Sequence, residues 1–217
     1  MFKLKEVVPW GRSFEEYLRM FALTSKDLRR KILGCADGPA GFNAGMKKRG
    51  VKAISCDPLY QFSDAQIKTQ INKTFDEIMK QMLSHKKNYI WKEIKSLKDL
   101  GAIRMRAMGE FLKDFENGKK EGRYIAQGLP VLSFPDKYFD LAVCSHFLFL
   151  YSDHLSLDFH RKSIIEMCRV AKEVRIFPNV GPIAEELGES GYNVSVCKVK
   201  YEFRRGADKM LKISIAK

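Results

Sequence analysis

Short apolar runs alternate with helical or turn-rich segments along most of this chain, and that alternation restricts the fold more than any other feature. The runs are KILGC (31–35), VKAISC (51–56), RYIAQ (123–127), FDLAVCS (139–145) and EVRIFP (173–178). Each has the length of a strand and is mostly apolar, which reads as a buried parallel strand and not as one with a wet face. Such strands separated by helices specify an α/β sheet with right-handed crossovers. The end of the chain changes character. YNVSVCKVKYEF and KMLKISIAK alternate apolar and polar residues around RRGAD, a turn containing Gly206 and Asp208. That pattern predicts a C-terminal antiparallel hairpin on a mostly parallel, seven-stranded sheet.

Between Tyr60 and Gly122 there is no strand signal. Ile67, Ile71, Phe75, Ile78 and Met82 recur at helical steps, and Ile90, Trp91, Ile94 and Leu97 repeat the habit. This predicts a helical insertion at about 61–120 within a single domain spanning 1–217. Because it follows the second strand at its carboxyl end, it is placed either to cap a ligand edge or to lengthen the core. Ahead of the first strand, SFEEYLRMFAL carries Ser13 and Glu16 at capping-box spacing, with Phe14, Tyr17, Leu18 and Phe21 on one stripe.

The five cysteines are odd in number and widely spaced, so free thiols are expected in place of disulfides or a metal site. No apolar run reaches the roughly 18 residues needed to cross a bilayer. The first residues lack the pattern of a signal peptide, so no membrane association and a cytoplasmic location are expected. A net charge of +13 favours acidic or polyanionic partners, nucleic acid among them, although lysines scattered along helices more often mark a solvated face.

The turn GCADGPAG (34–41) crowds glycines between the first strand and a helix, as happens where a ligand approaches backbone amides. AISCDPLY then ends the second strand in Asp57, 19 residues after Gly38, where an acid accepts hydrogen bonds from a ribose diol. Strand, glycine turn, helix, strand and acid together form an adenosine-binding unit. A nicotinamide dinucleotide would place a pyrophosphate at this helix terminus, next to Asp37. At about 5 Å and an effective dielectric of roughly 20 the repulsion would be about 3 kcal/mol. A ligand bearing an ammonium and a sulfonium would be helped by the same acid.

The sequence resembles the class I S-adenosylmethionine-dependent methyltransferases over nearly its whole length outside the insertion. KILGCADGPAG is similar to their first motif, with Gly34, Ala36, Gly38 and Ala40 at the marked positions, and SCDPLY to their second-strand acid. AQGLPVLSFPDKYFDLAVCSHFLFLY is similar to their stretch from third to fourth strand. PWGRSFEEYLRMFAL, DGPAGFNAGMKKRG and CDPLYQFS together resemble a group of uncharacterised bacterial proteins within that family. The resemblance implies a Rossmann-like three-layer sandwich and S-adenosylmethionine as cofactor. It implies that Asp57, followed by Pro58, holds the ribose, that Gly128 and Leu129 lie near the adenine, and that Ser145, His146 and Phe147 line the methionine and substrate side. The acid that usually orders the methionine end is replaced by Gly34, and the following glycine by Ala36, leaving Asp37 to take the polar role.

His146, at the carboxyl end of the fourth strand, is the candidate base, or else it only shapes the pocket. Tyr151, His154 and His160 follow it and read as surface or packing residues. Arg12, beside Trp10 in the loop before the leading helix, is suited to pair with the cofactor carboxylate, and Tyr17 is placed to reach the same pocket or join the core. The fourth strand ends in CSHF, without the Asn/Asp-Pro-Pro-aromatic element of amino-directed nucleic-acid methyltransferases, and there is no Pro-Cys nucleophile. The expected activity is methyl transfer to an unidentified acceptor, a small molecule or RNA. The alternatives are a non-catalytic RNA-binding or scaffold protein on the same fold, and an NAD-binding oxidoreductase.

Overall fold

The structure, a computed structural model, describes residues 8–178, 188 and 191–215. Seven strands form one sheet: β1 (Ile32–Cys35), β2 (Ala53–Cys56), β3 (Tyr124–Ile125), β4 (Leu141–Ser145), β5 (Glu173–Phe177), β6 (Tyr192–Lys198) and β7 (Lys209–Ile215). Their order is β3-β2-β1-β4-β5-β7-β6, with the first five parallel and β7 antiparallel to both neighbours. Each of the runs read as buried strands is a strand here. Serine caps recur at the helices: Ser13 and Glu16 close a capping box on α1 (Phe14–Met20), and Ser63 and Gln66 do so on α3 (Asp64–Ser84). Ser96 and Ser156 cap α4 (Leu97–Lys120) and α5 (Leu157–Val170), while α2 (Phe42–Lys48) starts at Gly41.

Alternate strand residues divide the core between two layers. Ile32, Leu141 and Val143 meet Phe14, Tyr17 and Phe42 of α1 and α2. Leu33, Cys35, Ala142 and Cys144 meet Ile164 and Met167 of α5. Four cysteines are buried and Cys197 is half-buried, all as free thiols. The thiols of Cys56, Cys35 and Cys144 lie at one level across β2, β1 and β4.

The helices between β2 and β3 divide their work. Phe111 and Phe115 of α4 pack with Tyr60 and Tyr124 beside α2, so α4 fills the crossover position on the sheet. The outer helix α3 packs on α4 and turns Ile67, Ile78 and Met82 toward a cavity over the sheet edge.

The hairpin differs from its expected turn. Lys198 already pairs with Lys209, and Val199 N–H donates to the Asp208 carbonyl at 2.8 Å. The residues between leave the ladder. Tyr89 bridges Arg204, Ile90 N–H donates to the Phe203 carbonyl at 2.7 Å, and Tyr89 stacks on Phe203 at 5.0 Å. The alternation through Val199, Tyr201 and Phe203 persists because these side chains turn inward, which marks a buried face without requiring a strand partner.

Candidate functional site

A cavity of about 960 Å³ opens over the carboxyl ends of β1, β2 and β4. Its floor is the turn after β1. Gly38 adopts φ 55°, a conformation that favours glycine, and a Cβ built there would meet nothing within 4 Å, so the space beside it is open. Ala36 is held at φ 53°, a left-handed conformation that costs a side-chain-bearing residue about 1 kcal/mol and that the resemblance would assign to glycine.

Two carboxylates meet at this turn. Asp57 accepts from Gly38 N–H at 2.9 Å through Oδ2 and from Leu59 N–H at 2.8 Å through Oδ1, so the end of β2 faces the glycine turn. Burial raises its pKa and these two amides oppose the rise. Asp37 accepts from the Tyr17 hydroxyl at 2.8 Å and the Ser55 hydroxyl at 2.7 Å. Its pKa is pushed up to about 6, chiefly by burial and with a contribution from Asp57, against those two hydrogen bonds. A Cβ on Gly34 would fall 1.8 Å from Asp37 Oδ2. The absence of a side chain at Gly34 therefore makes room for the Asp37 carboxylate.

The segment before α1 lies directly on the turn: Gly41 N–H donates to the Arg12 carbonyl at 2.9 Å, and a Cβ on Gly11 would fall 2.1 Å from the Pro39 carbonyl oxygen. Arg12 faces the cavity, donates from Nη1 to the Trp10 carbonyl at 2.6 Å, and leaves its buried Nε without a partner. Nearby, Arg104 forms a bidentate pair with Glu16 at 2.6 and 2.8 Å, and the Tyr201 hydroxyl donates to the same carboxylate at 2.7 Å. Burial and the adjacent Arg104 pull the Arg12 pKa below its ordinary value. Trp10 both lines the cavity and packs on Phe75 of α3, ring centroids 5.7 Å apart.

On the opposite wall His146 sits at φ 53°, donates its N–H to the Phe177 carbonyl at 2.7 Å and shares a 2.9 Å hydrogen bond with Ser145 Oγ through Nδ1. Burial, then Arg12 and Arg104, hold its pKa well below the usual imidazole value, so the ring is neutral at pH 7. Gly128 abuts Pro58, where a Cβ would fall 2.7 Å from Pro58 Cγ, and Leu129 continues that edge. Of the residues singled out from sequence, Arg12, Tyr17, Ala36, Asp37, Gly38 and Asp57 line the cavity, as do Pro58, Gly128, Leu129, Ser145, His146 and Phe147. Gly34 and Ala40 of the first motif do not line it. Tyr151 also lines it, whereas His160 is buried against Phe149 with ring centroids 5.5 Å apart. Sequence reasoning missed Ser55, Tyr60, Arg104 and the contributions from Tyr89, Tyr201 and Arg204. The Tyr60 hydroxyl donates to the Gly38 carbonyl at 2.8 Å, fixing the turn from outside.

The strand order, the reversed seventh strand and the acid-flanked glycine turn at the sheet's carboxyl edge define the class I S-adenosylmethionine-dependent methyltransferase fold. The chain is 34% identical over 216 residues to the uncharacterised protein MJ0045 of the archaeon Methanocaldococcus jannaschii, a match covering 96% of each, and it belongs to the same family as that protein. No family model matches the chain. Among solved structures it is similar to the magnesium protoporphyrin IX methyltransferase of Synechocystis (11% identity, TM-score 0.47, 88% of this chain and 73% of the other). It is also similar to a SAM-dependent methyltransferase of Aquifex aeolicus (16% identity, TM-score 0.42, 93% and 88%). The fold assignment rests on the strand order itself.

Proposed function

We propose that this protein is an S-adenosylmethionine-dependent methyltransferase acting on an unidentified acceptor. The observation that carries the reading is the pairing of unspent polar groups at two places in one cavity. Asp57, oriented by two backbone amides, retains acceptor capacity for a ribose diol, and Arg12 presents a guanidinium with no carboxylate at ion-pair distance among the described residues. Between them, Asp37 offers negative charge suited to an ammonium or sulfonium, and the Gly38 backbone leaves room beside it. S-adenosylmethionine, when bound, supplies an electrophilic methyl group. Asp57, with Pro58 and Gly128 along the same edge, would hold the nucleoside, and Arg12 with Asp37 the amino-acid end. Neutral His146 is placed to accept a proton from an acceptor that carries one, with Ser145 fixing its ring.

Isothermal titration with S-adenosylhomocysteine and NAD tests the reading. Binding of the former with no heat from NAD is expected, and the reverse would overturn the assignment. A second reading, an RNA-binding protein without the chemistry, is favoured by Lys86, Lys87, Arg204 and Arg205, which are exposed and brought together where Arg205 Nε donates to the Lys87 carbonyl at 3.0 Å. Salt-sensitive RNA binding without cofactor heat would support it.

A further inference from the structure

The cavity is roomy, and its charge is unevenly distributed. At about 960 Å³ it lies at the upper end of the range for single-ligand pockets. Among the described residues its carboxyl and guanidinium lining consists of Asp37, Asp57, Arg12, Arg104 and Arg204. Both acids belong to the glycine-turn half, and Arg104 is neutralised by Glu16. The other half is walled by Ile78 and Met82 of α3 and by Tyr89 and Phe203, which stack on each other where the hairpin loop meets residues 88–90. Arg204 stands at this wall as an exposed cation, with no carboxylate at ion-pair distance among the described residues. Among the described residues no acid lines that half, where the amides of Gln66, Gln70 and Asn88 stand.

We infer that this second chamber takes a small apolar or aromatic acceptor carrying one anionic group, with the apolar body against Met82, Ile78 and Phe203 and the anion on Arg204. This rests on the methyltransferase reading, since the acceptor must lie beside the cofactor half. Burying an aromatic body there removes apolar wall from water, and an acid in place of Arg204 would repel such a molecule. A neutral apolar acceptor would leave Arg204 without a role. The exposed Lys87 does not line the chamber.

The test uses two fluorescent probes of similar shape on the full chain: 1-anilinonaphthalene-8-sulfonate, an anion, and neutral N-phenyl-1-naphthylamine. Both are expected to bind, and neither to be displaced by S-adenosylhomocysteine. Arg204→Gln should weaken the anionic probe by about tenfold and leave the neutral one unchanged, as loss of a charge-assisted contact requires. Lys87→Gln, the same charge change outside the wall, should affect neither. Met82→Trp should weaken both by filling the chamber, and Ile78→Phe replaces it should that variant fail to fold. Equal responses of the two probes to Arg204→Gln, or their displacement by S-adenosylhomocysteine, would overturn the inference. So would competition by tRNA that Arg204→Gln and Lys87→Gln weaken alike, which would assign the mouth to a polyanion. Failure of S-adenosylhomocysteine to bind while the probe pattern holds would instead sink the methyltransferase reading and leave the anion chamber standing.

Discussion

At the level of single residues, Asp37 is a buried carboxylate lining the cavity beside Gly34. Asp37 fills the space a side chain at Gly34 would need, and it is held by Tyr17 and Ser55 at the cost of being buried. Its pKa of about 6, against 3.8 for the unperturbed group, means that the folded protein holds this proton more tightly than the unfolded chain does. The resulting stability is complete below the unfolded pKa and is lost as pH rises through the folded one, a total of about 3 kcal/mol. Denaturation of the ligand-free protein against Asp37→Asn between pH 4 and 7 should show the wild type losing roughly that amount relative to the variant. A cationic ligand favours the ionised carboxylate, so S-adenosylmethionine affinity should rise through pH 6 in the wild type and stay flat in Asp37→Asn. Gly38 separates fold from function in a different way. Gly38→Ala forces a side chain into a left-handed conformation for about 1 kcal/mol of stability. Its methyl group enters the open space of the cavity, and the variant should lose S-adenosylhomocysteine binding in calorimetry while remaining folded.

Among the elements, α1 is the hinge pin between the sheet, the insertion and the C-terminal hairpin. Glu16 of α1 meets Arg104 of α4 and Tyr201 of the loop before β7 in one buried network, with Arg104 only 1% exposed. Arg104→Met strands the Glu16 carboxylate in the interior and should cost about 3–5 kcal/mol in denaturant unfolding. Glu16→Gln in the same background removes the stranded charge and should recover part of the loss. These contacts also mark where reading the sequence stops. The strands were legible because their apolar runs are short and separated, and the start of α1 because Ser13 and Glu16 stand at capping-box spacing. Asp57 and the glycine turn were legible because strand, turn and acid follow one another closely in sequence. Glu16 and Arg104 are 88 residues apart, and Tyr89 meets Phe203 across a still longer separation, so no local period announces either pair. The loop through Tyr201 and Phe203 was misread as strand because period-two burial has the same signature with or without a ladder.

For the molecule as a whole, the question is whether its charge or its cavity determines what it binds. Besides the turns at the ends of β1, β2 and β4, the segment before α1, the helix α3, residues 88 and 89 and the loop before β7 wall the cavity. A ligand held among them stabilises only the assembled form. S-adenosylhomocysteine at 100 times its dissociation constant should therefore add about 2.7 kcal/mol, a rise of roughly 5–10 °C in Tm for a chain of this size. The net charge of +13 predicts a different dependence on salt for any polyanion. A nucleic acid neutralised at six to ten phosphates would lose roughly 10³–10⁵ in affinity between 50 and 200 mM salt through counterion release. Contacts with Asp57 and Arg12 lie inside the protein, where mobile ions screen weakly, so the S-adenosylhomocysteine shift should persist over the same range. Thermal unfolding at both salt concentrations, with S-adenosylhomocysteine and with tRNA, measures the two dependences side by side. A salt-resistant shift that Asp57→Ala abolishes identifies the cavity as the determinant of binding. A shift from tRNA alone, gone at 200 mM, would give that part to the basic surface.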